Sequence, residues 1–164
     1  MSTASKAKDL RTELAELAAQ ARSAHELMSE MVKLLQERML KYNWVGFYML
    51  ENSPGQPPML VLGAFQGAMT PHTRIPLHQG ICGAAASTGK TVVVDDVSRD
   101  PRYLACSLET KSEIVVPIFV RGKVAGELDI DSHFPAAFKE DDRELVEYCA
   151  NLVGQRLPAI ADRK

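Results

Sequence analysis

The feature that most constrains the fold is the run SEIVVPIFVRGKVAGELDIDS, residues 112–132. Apolar residues recur at every second position on both sides of an Arg-Gly-Lys segment, a pattern typical of two antiparallel strands joined by a tight turn. If that segment is a three-residue loop, Val120 pairs with Val124 and Glu113 pairs with Asp131. A slip of one residue would turn carboxylates into the core, so this register is favoured. The predicted core face comprises Ile114, Val116, Ile118, Val120, Val124, Leu128 and Ile130.

The opposite face of the same hairpin carries a cluster of carboxylates at the end far from the turn. The cluster consists of Glu113, Glu127, Asp129 and Asp131, with Val115 and Phe119 on the same face. Like charges this close repel and raise each other's pKa. Three interpretations remain open: a solvated sheet face, a pocket for an ammonium group, or an oxygen-ligand metal site.

The remaining patterns predict an α+β fold. Residues from about 5 to 40 have helical periodicity, and Ser23 followed by Glu26 is a capping box that begins a second helix. Strands at Asn43–Leu50 and from Met59, an Ala-rich helix, a further strand and a final helix complete the order. We predict a single domain over residues 1–164, with a helical region at 1–41 and the sheet, pocket and C-terminal helix at 42–164. The antiparallel sheet would carry the N- and C-terminal helices on one face and a loop-built pocket on the other.

Composition excludes several classes of function. The formal net charge of -2 gives no footprint for nucleic acid or an anionic membrane surface, and no apolar run approaches the roughly 20 residues of a membrane helix. The polar N-terminus lacks the apolar segment of a secretory signal. Three cysteines in such a chain predict a reducing, cytoplasmic compartment in which thiols are free or reactive.

The three cysteines have different settings. Cys149 lies on the apolar stripe of the final helix with Leu145, Leu152 and Val153, which predicts core packing. Cys82 lies in GICGAA, where a helix begins; the alternatives are a packed turn residue or a thiol with a lowered pKa. Cys106 lies in a loop. The histidines lack the paired spacing of a zinc site, and TGKT has neither the glycine spacing nor the strand-then-helix context of a phosphate loop.

Several stretches together resemble a known family. They are NWVGFY, LGAFQG, RIP followed by GICGAA, then LAC, SEIVVP and GELDIDS, and they run from about Trp44 to the C-terminal helix. They resemble the GAF-domain free methionine-(R)-sulfoxide reductases, which implies a GAF-like fold for the single domain. GAF domains in general are mostly sensory modules, so the fold alone says little about function. The combination of GICG, LAC, SEIVVP and LDIDS is the specific part of the resemblance.

The resemblance implies a set of roles. Cys106 would be the nucleophile and Cys82 the cysteine that resolves it through an intramolecular disulfide. The substrate-binding residues would be Glu113, Asp129, Asp131, Trp44 and Tyr48. The reaction would reduce free methionine-(R)-sulfoxide without a metal or organic cofactor, would be recycled by a thioredoxin-like reductant, and would occur in a homodimer. The register of the hairpin leads to the same three carboxylates from the residue pattern alone.

The chain also departs from the family pattern. The family usually has a further cysteine ten residues before the GICG cysteine, and here that position is His72. The four residues before the nucleophile are usually Gly-His-Ile-Ala, and here they are Arg102, Tyr103, Leu104 and Ala105. These departures concern the recycling route and the environment of Cys106. The alternative functions are a non-catalytic GAF module that senses a small ligand and a peroxidase-like thiol protein.

Overall fold

The computed structural model describes residues 3–104 and 108–160, with side chains from residue 9 onward. Its elements are α1 Thr3–Gln20, α2 Ala24–Arg38, β1 Trp44–Glu51, β2 Met59–Gln66, β3 Arg74–Pro76, α3 Gly80–Thr88, β4 Val92–Val94, a short 3-10 helix Val97–Arg99, β5 Ser112–Val120, β6 Lys123–Ser132 and α4 Glu140–Ile160. The six strands form one antiparallel sheet in the order β3-β2-β1-β6-β5-β4. The predicted α+β class with an antiparallel sheet is confirmed.

The break between the first two helices lies where the capping pattern predicts it. The Ser23 hydroxyl accepts a hydrogen bond from the backbone N–H of Glu26 at 3.1 Å. The Glu26 carboxylate accepts one from the backbone N–H of Arg22 at 3.1 Å, one residue earlier than in the standard capping box. These bonds satisfy N–H groups that would otherwise be unpaired at the start of α2.

The β5–β6 hairpin confirms one end of the predicted register. Glu113 pairs with Asp131, and Val115 pairs with Asp129. The residues of the predicted apolar face that lie beyond the turn region pack in the main core, namely Ile114, Val116, Ile118, Leu128 and Ile130. Alternating burial therefore determines the register at the end of the hairpin far from the turn, where a slip of one residue would turn carboxylates into the core.

The turn end of the hairpin differs from the prediction. Arg121 and Gly122 form a two-residue turn with φ of 53° and 80°, a positive-φ connection that matches the twist of the strands. Val120 therefore pairs with Lys123, and a β-bulge beside Ile118 restores the register of the remaining residues. The predicted pairing of Val120 with Val124 is wrong, and Val124 packs against the cluster on the opposite face of the sheet.

Both faces of the sheet are covered. Helices α1, α2 and α4 bury one face, where Cys149 lies fully buried as predicted. On the other face a second apolar cluster joins α3, β4 and the 3-10 helix to the sheet. Its fully or largely buried members include Ile81, Ala85, Val94, Val97 and Val115.

Strand β3 is a three-residue strand that the sequence pattern does not predict. Arg74–Pro76 pairs with residues 59–61 of β2 at the edge of the sheet, where a proline that cannot donate a hydrogen bond is tolerated. Its position brings the chain back over the second apolar cluster. Among the described residues, no helix has the length and apolar character needed to cross a membrane.

Candidate active site

The predicted carboxylates meet on the face of the sheet covered by α3. All four are nearly inaccessible to solvent, with exposed fractions of 5% for Glu113, 0% for Glu127, 3% for Asp129 and 3% for Asp131. The interpretation of this cluster as a solvated sheet face is therefore wrong. The face looks polar in sequence, and it is buried because α3 and the segments around it fold back across the strands.

Burial dominates the electrostatics of this cluster. Loss of hydration raises the pKa of each of the four carboxyl groups, and the charge of Asp129 raises the pKa of Glu113, Glu127 and Asp131 further. For Asp129 itself, hydrogen bonds from Glu113 and Cys82 oppose the effect of burial on the pKa. Asp129 is therefore the member best placed to hold a negative charge, while its neighbours tend to keep their protons.

Cys82 lies in the first turn of α3 and points into the cluster. Its Sγ donates a hydrogen bond to Oδ2 of Asp129 at 3.3 Å. Burial raises the pKa of this thiol well above its usual range, and the charges of Asp129 and Glu127 add to the effect. Burial and the surrounding carboxyl groups thus outweigh the helix N-terminus, which alone would lower the thiol pKa.

Two aromatic residues of β1 form a wall beside the carboxylates. Trp44 pairs with Asp131 and Tyr48 pairs with Glu127, so both rings lie on the carboxylate face, with their centroids 6.3 Å apart. Trp44 Nε1 donates to the carbonyl oxygen of Ala68 at 3.0 Å. The indole ring stacks on Phe65 at 5.7 Å between centroids. Both predicted aromatic residues are therefore held in fixed orientations within the second apolar cluster.

The orientation of Trp44 depends on the absence of a side chain at Gly46. A Cβ atom built on Gly46 would lie only 2.7 Å from Cζ3 of Trp44. Gly46 also pairs with Asp129 on β6, so the ring that covers Gly46 lies beside a residue of the acidic cluster. The glycine lets the ring lie flat across the strand, close to the acidic cluster.

His72 holds the second aromatic residue through its backbone. The Tyr48 hydroxyl donates to the carbonyl oxygen of His72 at 2.7 Å, and the His72 N–H donates to Oγ1 of Thr70 at 3.1 Å. Sequence reasoning identifies His72 only as a departure from the family pattern. The amino-acid sequence gives no indication of such a contact, because the backbone of His72 makes it.

These groups border a small pocket. Its lining consists of Tyr48, His72, Ile75, Gly80, Ile81, Cys82, Leu104, Glu113 and Asp129. The space open to a water-sized sphere is about 20 Å³, enough for about one water molecule. Leu104 packs closely over Gly80, because a Cβ atom built on Gly80 would lie 2.9 Å from Cδ1 of Leu104.

The predicted nucleophile, Cys106, lies outside the described residues. The described chain ends on one side at Leu104, which lines the pocket, and resumes at Leu108. The nearby Arg102 is bound to Asp100, with Nε 2.9 Å from Oδ1 and Nη2 2.6 Å from Oδ2. Arg102, the one cation among the four residues that precede Cys106, is therefore directed toward Asp100.

One part of the site has the donor atoms for a cation. Ligand atoms of Cys82, Glu113 and Asp129 all lie within 4.8 Å of one another. Thiolate and carboxylate donors at this spacing would suit a divalent metal such as zinc. The expectation of a reaction without metal remains a prediction.

Comparison with known proteins supports the resemblance seen in the sequence. The family model described as GAF domain matches residues 23–157. The free methionine-R-sulfoxide reductase of Saccharomyces cerevisiae is 43% identical over 114 residues, which cover 69% of this chain and 62% of the yeast protein. The Escherichia coli enzyme of the same name is 39% identical over 111 residues, which cover 68% of this chain and 64% of that protein.

Solved structures agree over a longer span. The structure of free methionine-R-sulfoxide reductase from Neisseria meningitidis in complex with its substrate is 34% identical, covers 100% of this chain and 95% of its own, and superposes with a TM-score of 0.89. The Staphylococcus aureus protein in complex with substrate is 36% identical, covers 92% of this chain and 95% of its own, and has a TM-score of 0.83. The chain therefore belongs to the GAF domain family and, within it, to the group of free methionine-R-sulfoxide reductases.

Proposed function

We propose that this protein reduces free methionine-(R)-sulfoxide to methionine, with Cys106 as the nucleophile. The observation that carries the proposal is the buried cluster of Glu113, Asp129 and Asp131, which lies beside two fixed aromatic rings and a thiol. A buried group of like-charged residues is costly unless a cation or protons neutralise it. An amino acid brings such a cation in its ammonium group.

Binding would use the carboxylates for charge and the aromatic residues for shape. Among the described residues, Oδ1 of Asp129 and Oδ1 of Asp131 are buried without a hydrogen-bond partner. An ammonium group has three N–H donors, which would satisfy these acceptors and a carboxyl oxygen of Glu113. Trp44 and Tyr48 would then contact the apolar end of the substrate. Because the pocket has room for about one water molecule, substrate entry requires the pocket to widen.

The chemical step needs a nucleophile and an acid. The Cys106 thiolate would attack the sulfoxide sulfur while a carboxylic acid of the cluster protonates the sulfoxide oxygen. The oxygen then passes from the substrate sulfur to the Cys106 sulfur as the bond between the two sulfurs breaks. Methionine leaves and Cys106 becomes a sulfenic acid, so the thiol is oxidised as the sulfoxide is reduced. The raised pKa of Glu113 supports this role because burial favours the protonated form of that carboxyl group.

Cys82 would then resolve the sulfenic acid. Its thiol condenses with Cys106 to form a disulfide and release water, and a thioredoxin-like dithiol would reopen that bond by exchange. Cys106 follows Leu104 by two residues, which span at most about 7 Å of chain, and Leu104 lines the same pocket as Cys82. The remaining thiol, Cys149, is buried on the opposite face of the sheet and is not suited to this task.

Thiol chemistry tests the proposal directly. Methionine-(R)-sulfoxide added to reduced protein should release methionine and consume two thiols per chain. Cys106→Ser should abolish release, and Cys82→Ser should release about one equivalent and then stall with a dithiol reductant. Cys149→Ala is the matched control and should turn over repeatedly. Turnover of both the Cys106 and Cys82 variants at the wild-type rate would exclude the mechanism.

The same experiment separates the alternatives. A melting-temperature shift with unchanged thiols would indicate a ligand sensor, and peroxide consumption without stereoselective sulfoxide reduction would indicate a peroxidase-like protein. We further propose a cytoplasmic homodimer recycled by a thioredoxin-like reductant. Sedimentation would test the dimer, and coupled turnover with thioredoxin would test the reductant.

A further inference from the structure

Three elements of the fold bring a mixed set of metal ligands together at the pocket. Cys82 lies on α3, Glu113 on β5 and Asp129 on β6, and one ligand atom of each lies within 4.8 Å of the other two. In a tetrahedral zinc site, with zinc–sulfur and zinc–oxygen bonds of about 2.3 and 2.1 Å, a sulfur and an oxygen ligand lie about 3.6 Å apart. Sγ of Cys82 and Oδ2 of Asp129 are 3.3 Å apart, close to that separation. The Glu113 oxygen has to approach by at most about 1.2 Å, the difference between 4.8 and 3.6 Å.

The pocket also contains a buried acceptor without a partner. Asp129 lines the pocket with an exposed fraction of 3%, and its Oδ1 has no hydrogen-bond partner among the described residues. Oδ1 of Asp131, on the same face of β6, is equally buried and also lacks a partner there. Buried carboxylate oxygens of this kind are normally paired with a cation or bound to a metal ion. This observation points to a cation independently of the spacing of the ligand atoms.

The pocket has the size of a single ion. The space open to a water-sized sphere is about 20 Å³, which holds about one water molecule. Methionine sulfoxide is larger, so its entry requires the pocket to widen, whereas an ion needs no such change. Cys82 is a free thiol in this form of the protein. The reduced, closed form therefore has both the ligand atoms and the space for an ion.

The ligand types select among metals. Magnesium and calcium prefer sites made of oxygen atoms alone, whereas one thiolate with two carboxylates suits zinc. Three protein ligands leave a fourth tetrahedral position for a water molecule. Zinc binds the thiolate form of cysteine, so binding would release the Cys82 proton to solvent. The ion would also reduce the repulsion between the buried carboxylates, because it brings two positive charges.

We propose that the reduced protein binds one zinc ion through Cys82, Glu113 and Asp129, and that this ion excludes free methionine sulfoxide. The exclusion rests on the proposed function, whereas the metal site does not. Zinc would occupy two of the carboxylates proposed to bind the ammonium group, together with the thiol proposed to resolve the sulfenic acid. It would therefore act as an inhibitor and not as a cofactor. A disulfide at Cys82 would remove the thiolate ligand, so zinc would bind the reduced form.

Cobalt tests the metal site, because Co²⁺ accepts the same ligands as Zn²⁺ and its absorption reports on them. Reduced full-length protein should bind one Co²⁺ per chain, with a thiolate-to-cobalt charge-transfer band, and one equivalent of Zn²⁺ should displace it. Cys82→Ser should lose the band and should weaken zinc binding, measured by calorimetry, by at least about 100-fold. Asp129→Asn, which keeps the shape and removes the charge, should weaken zinc binding by at least about 10-fold.

The other two cysteines supply the matched controls. Cys149→Ala removes a thiol that is buried on the opposite face of the sheet, and Cys106→Ser removes the proposed nucleophile. Both variants should keep the charge-transfer band and the zinc affinity. X-ray absorption at the zinc edge provides a measurement that does not depend on substitution of a ligand. Zinc-loaded wild type should show one sulfur ligand and otherwise oxygen ligands, and Cys106→Ser should show the same set.

Each result decides one part of the proposal. Absence of zinc binding by wild type, or a charge-transfer band that persists in C82S, would overturn the site. If C82S does not fold, the X-ray absorption of C106S and C149A decides: one sulfur ligand in both supports Cys82, and oxygen ligands alone in either exclude it.

Inhibition is measured as methionine release in a single turnover of reduced protein without added reductant, since dithiols bind zinc. At low substrate and a zinc concentration ten times its Kd, release should slow about tenfold, and saturating substrate should restore the rate. Unchanged release with zinc bound, or slow release that saturating substrate does not restore, would overturn the exclusion of substrate. Absence of release from zinc-free wild type would instead reject the proposed function, and the cobalt measurement would still decide the metal site.

Discussion

Gly46→Ala should displace the indole ring of Trp44 and loosen the aromatic wall of the site. The new Cβ atom would lie 2.7 Å from Cζ3 of that ring, whereas ordinary contacts begin near 3.4 Å. The neighbouring Cη2 atom would lie closer still, so the ring has to move by at least about 0.7 Å, the difference between these distances. Such a shift would stretch the hydrogen bond from Nε1 to Ala68, now 3.0 Å long, toward its limit.

The cost follows from packing. Adding a methylene-sized group to a well-packed site typically costs about 1–3 kcal/mol, so the free energy of unfolding should fall by that amount. For a chain of this size the melting temperature should fall by roughly 2–12 °C. Because Gly46 pairs with Asp129, the displaced ring also lies next to the proposed ammonium site, and the KM for methionine-(R)-sulfoxide should rise.

The assay is simple because Trp44 is the sole tryptophan of the chain. Tryptophan fluorescence therefore reports on the site alone. We expect G46A to have a changed emission spectrum and a smaller change in fluorescence intensity when substrate is added. Gly63→Ala is the matched control. It adds the same group to a neighbouring strand, where the new Cβ atom meets only the Phe47 carbonyl oxygen at 3.5 Å. If G46A melts and fluoresces like G63A and wild type, the inferred position of the Trp44 ring is wrong.

Two further predictions concern stability. Because burial raises the pKa of the buried carboxyl groups, these groups ionise at a lower pH in the unfolded chain than in the folded one. Their contribution to the free energy of unfolding is fully present below the ordinary carboxyl pKa range. It is lost as the pH rises through the pKa values of the folded state. Asp131→Asn should therefore reduce the fall of the unfolding free energy with pH by up to about 1.4 kcal/mol per pH unit, measured by urea denaturation at several pH values. Asp141→Asn, at an exposed position, should leave that fall unchanged. Equal slopes for the two variants would contradict the burial effect. Ser23→Ala should lower the free energy of unfolding by about 1 kcal/mol through loss of the α2 N-cap, with Ser23→Asp retaining stability; an unchanged denaturation midpoint for the Ala variant would exclude the cap.

The sequence predicts those parts of the fold that depend on local pattern. Alternation along β5 and β6 determines the pairing of Glu113 with Asp131, because a slip would bury charges on the wrong face. It does not determine the turn, where a two-residue loop with a bulge and a three-residue loop have nearly the same pattern. The predicted pairing of Val120 with Val124 is wrong for this reason.

The sequence pattern does not predict the environment of the site, because that environment depends on contacts between residues far apart in the chain. The contact between Cys82 and Asp129 joins residues far apart in the chain, and it depends on how α3 docks on the sheet. An alternating strand with polar residues on one face looks the same whether that face meets water or a helix. The burial of Glu113, Glu127, Asp129 and Asp131, and hence their raised pKa values, could be known only from the tertiary structure.

The two halves of the candidate site lie on parts of the fold that differ in their expected resistance to local unfolding. The carboxylates and the aromatic wall lie on β1, β6 and β5, and β1 and β6 are the two central strands of the sheet. Cys82 lies instead on α3, a nine-residue helix on the outer face of the sheet. Backbone amides of central strands open only in large unfolding events, whereas a short peripheral helix can open alone. Hydrogen exchange should therefore be slower on the strands that carry the proposed binding residues than around Cys82, the proposed resolving thiol. One half of the proposed site could then move while the other keeps its geometry.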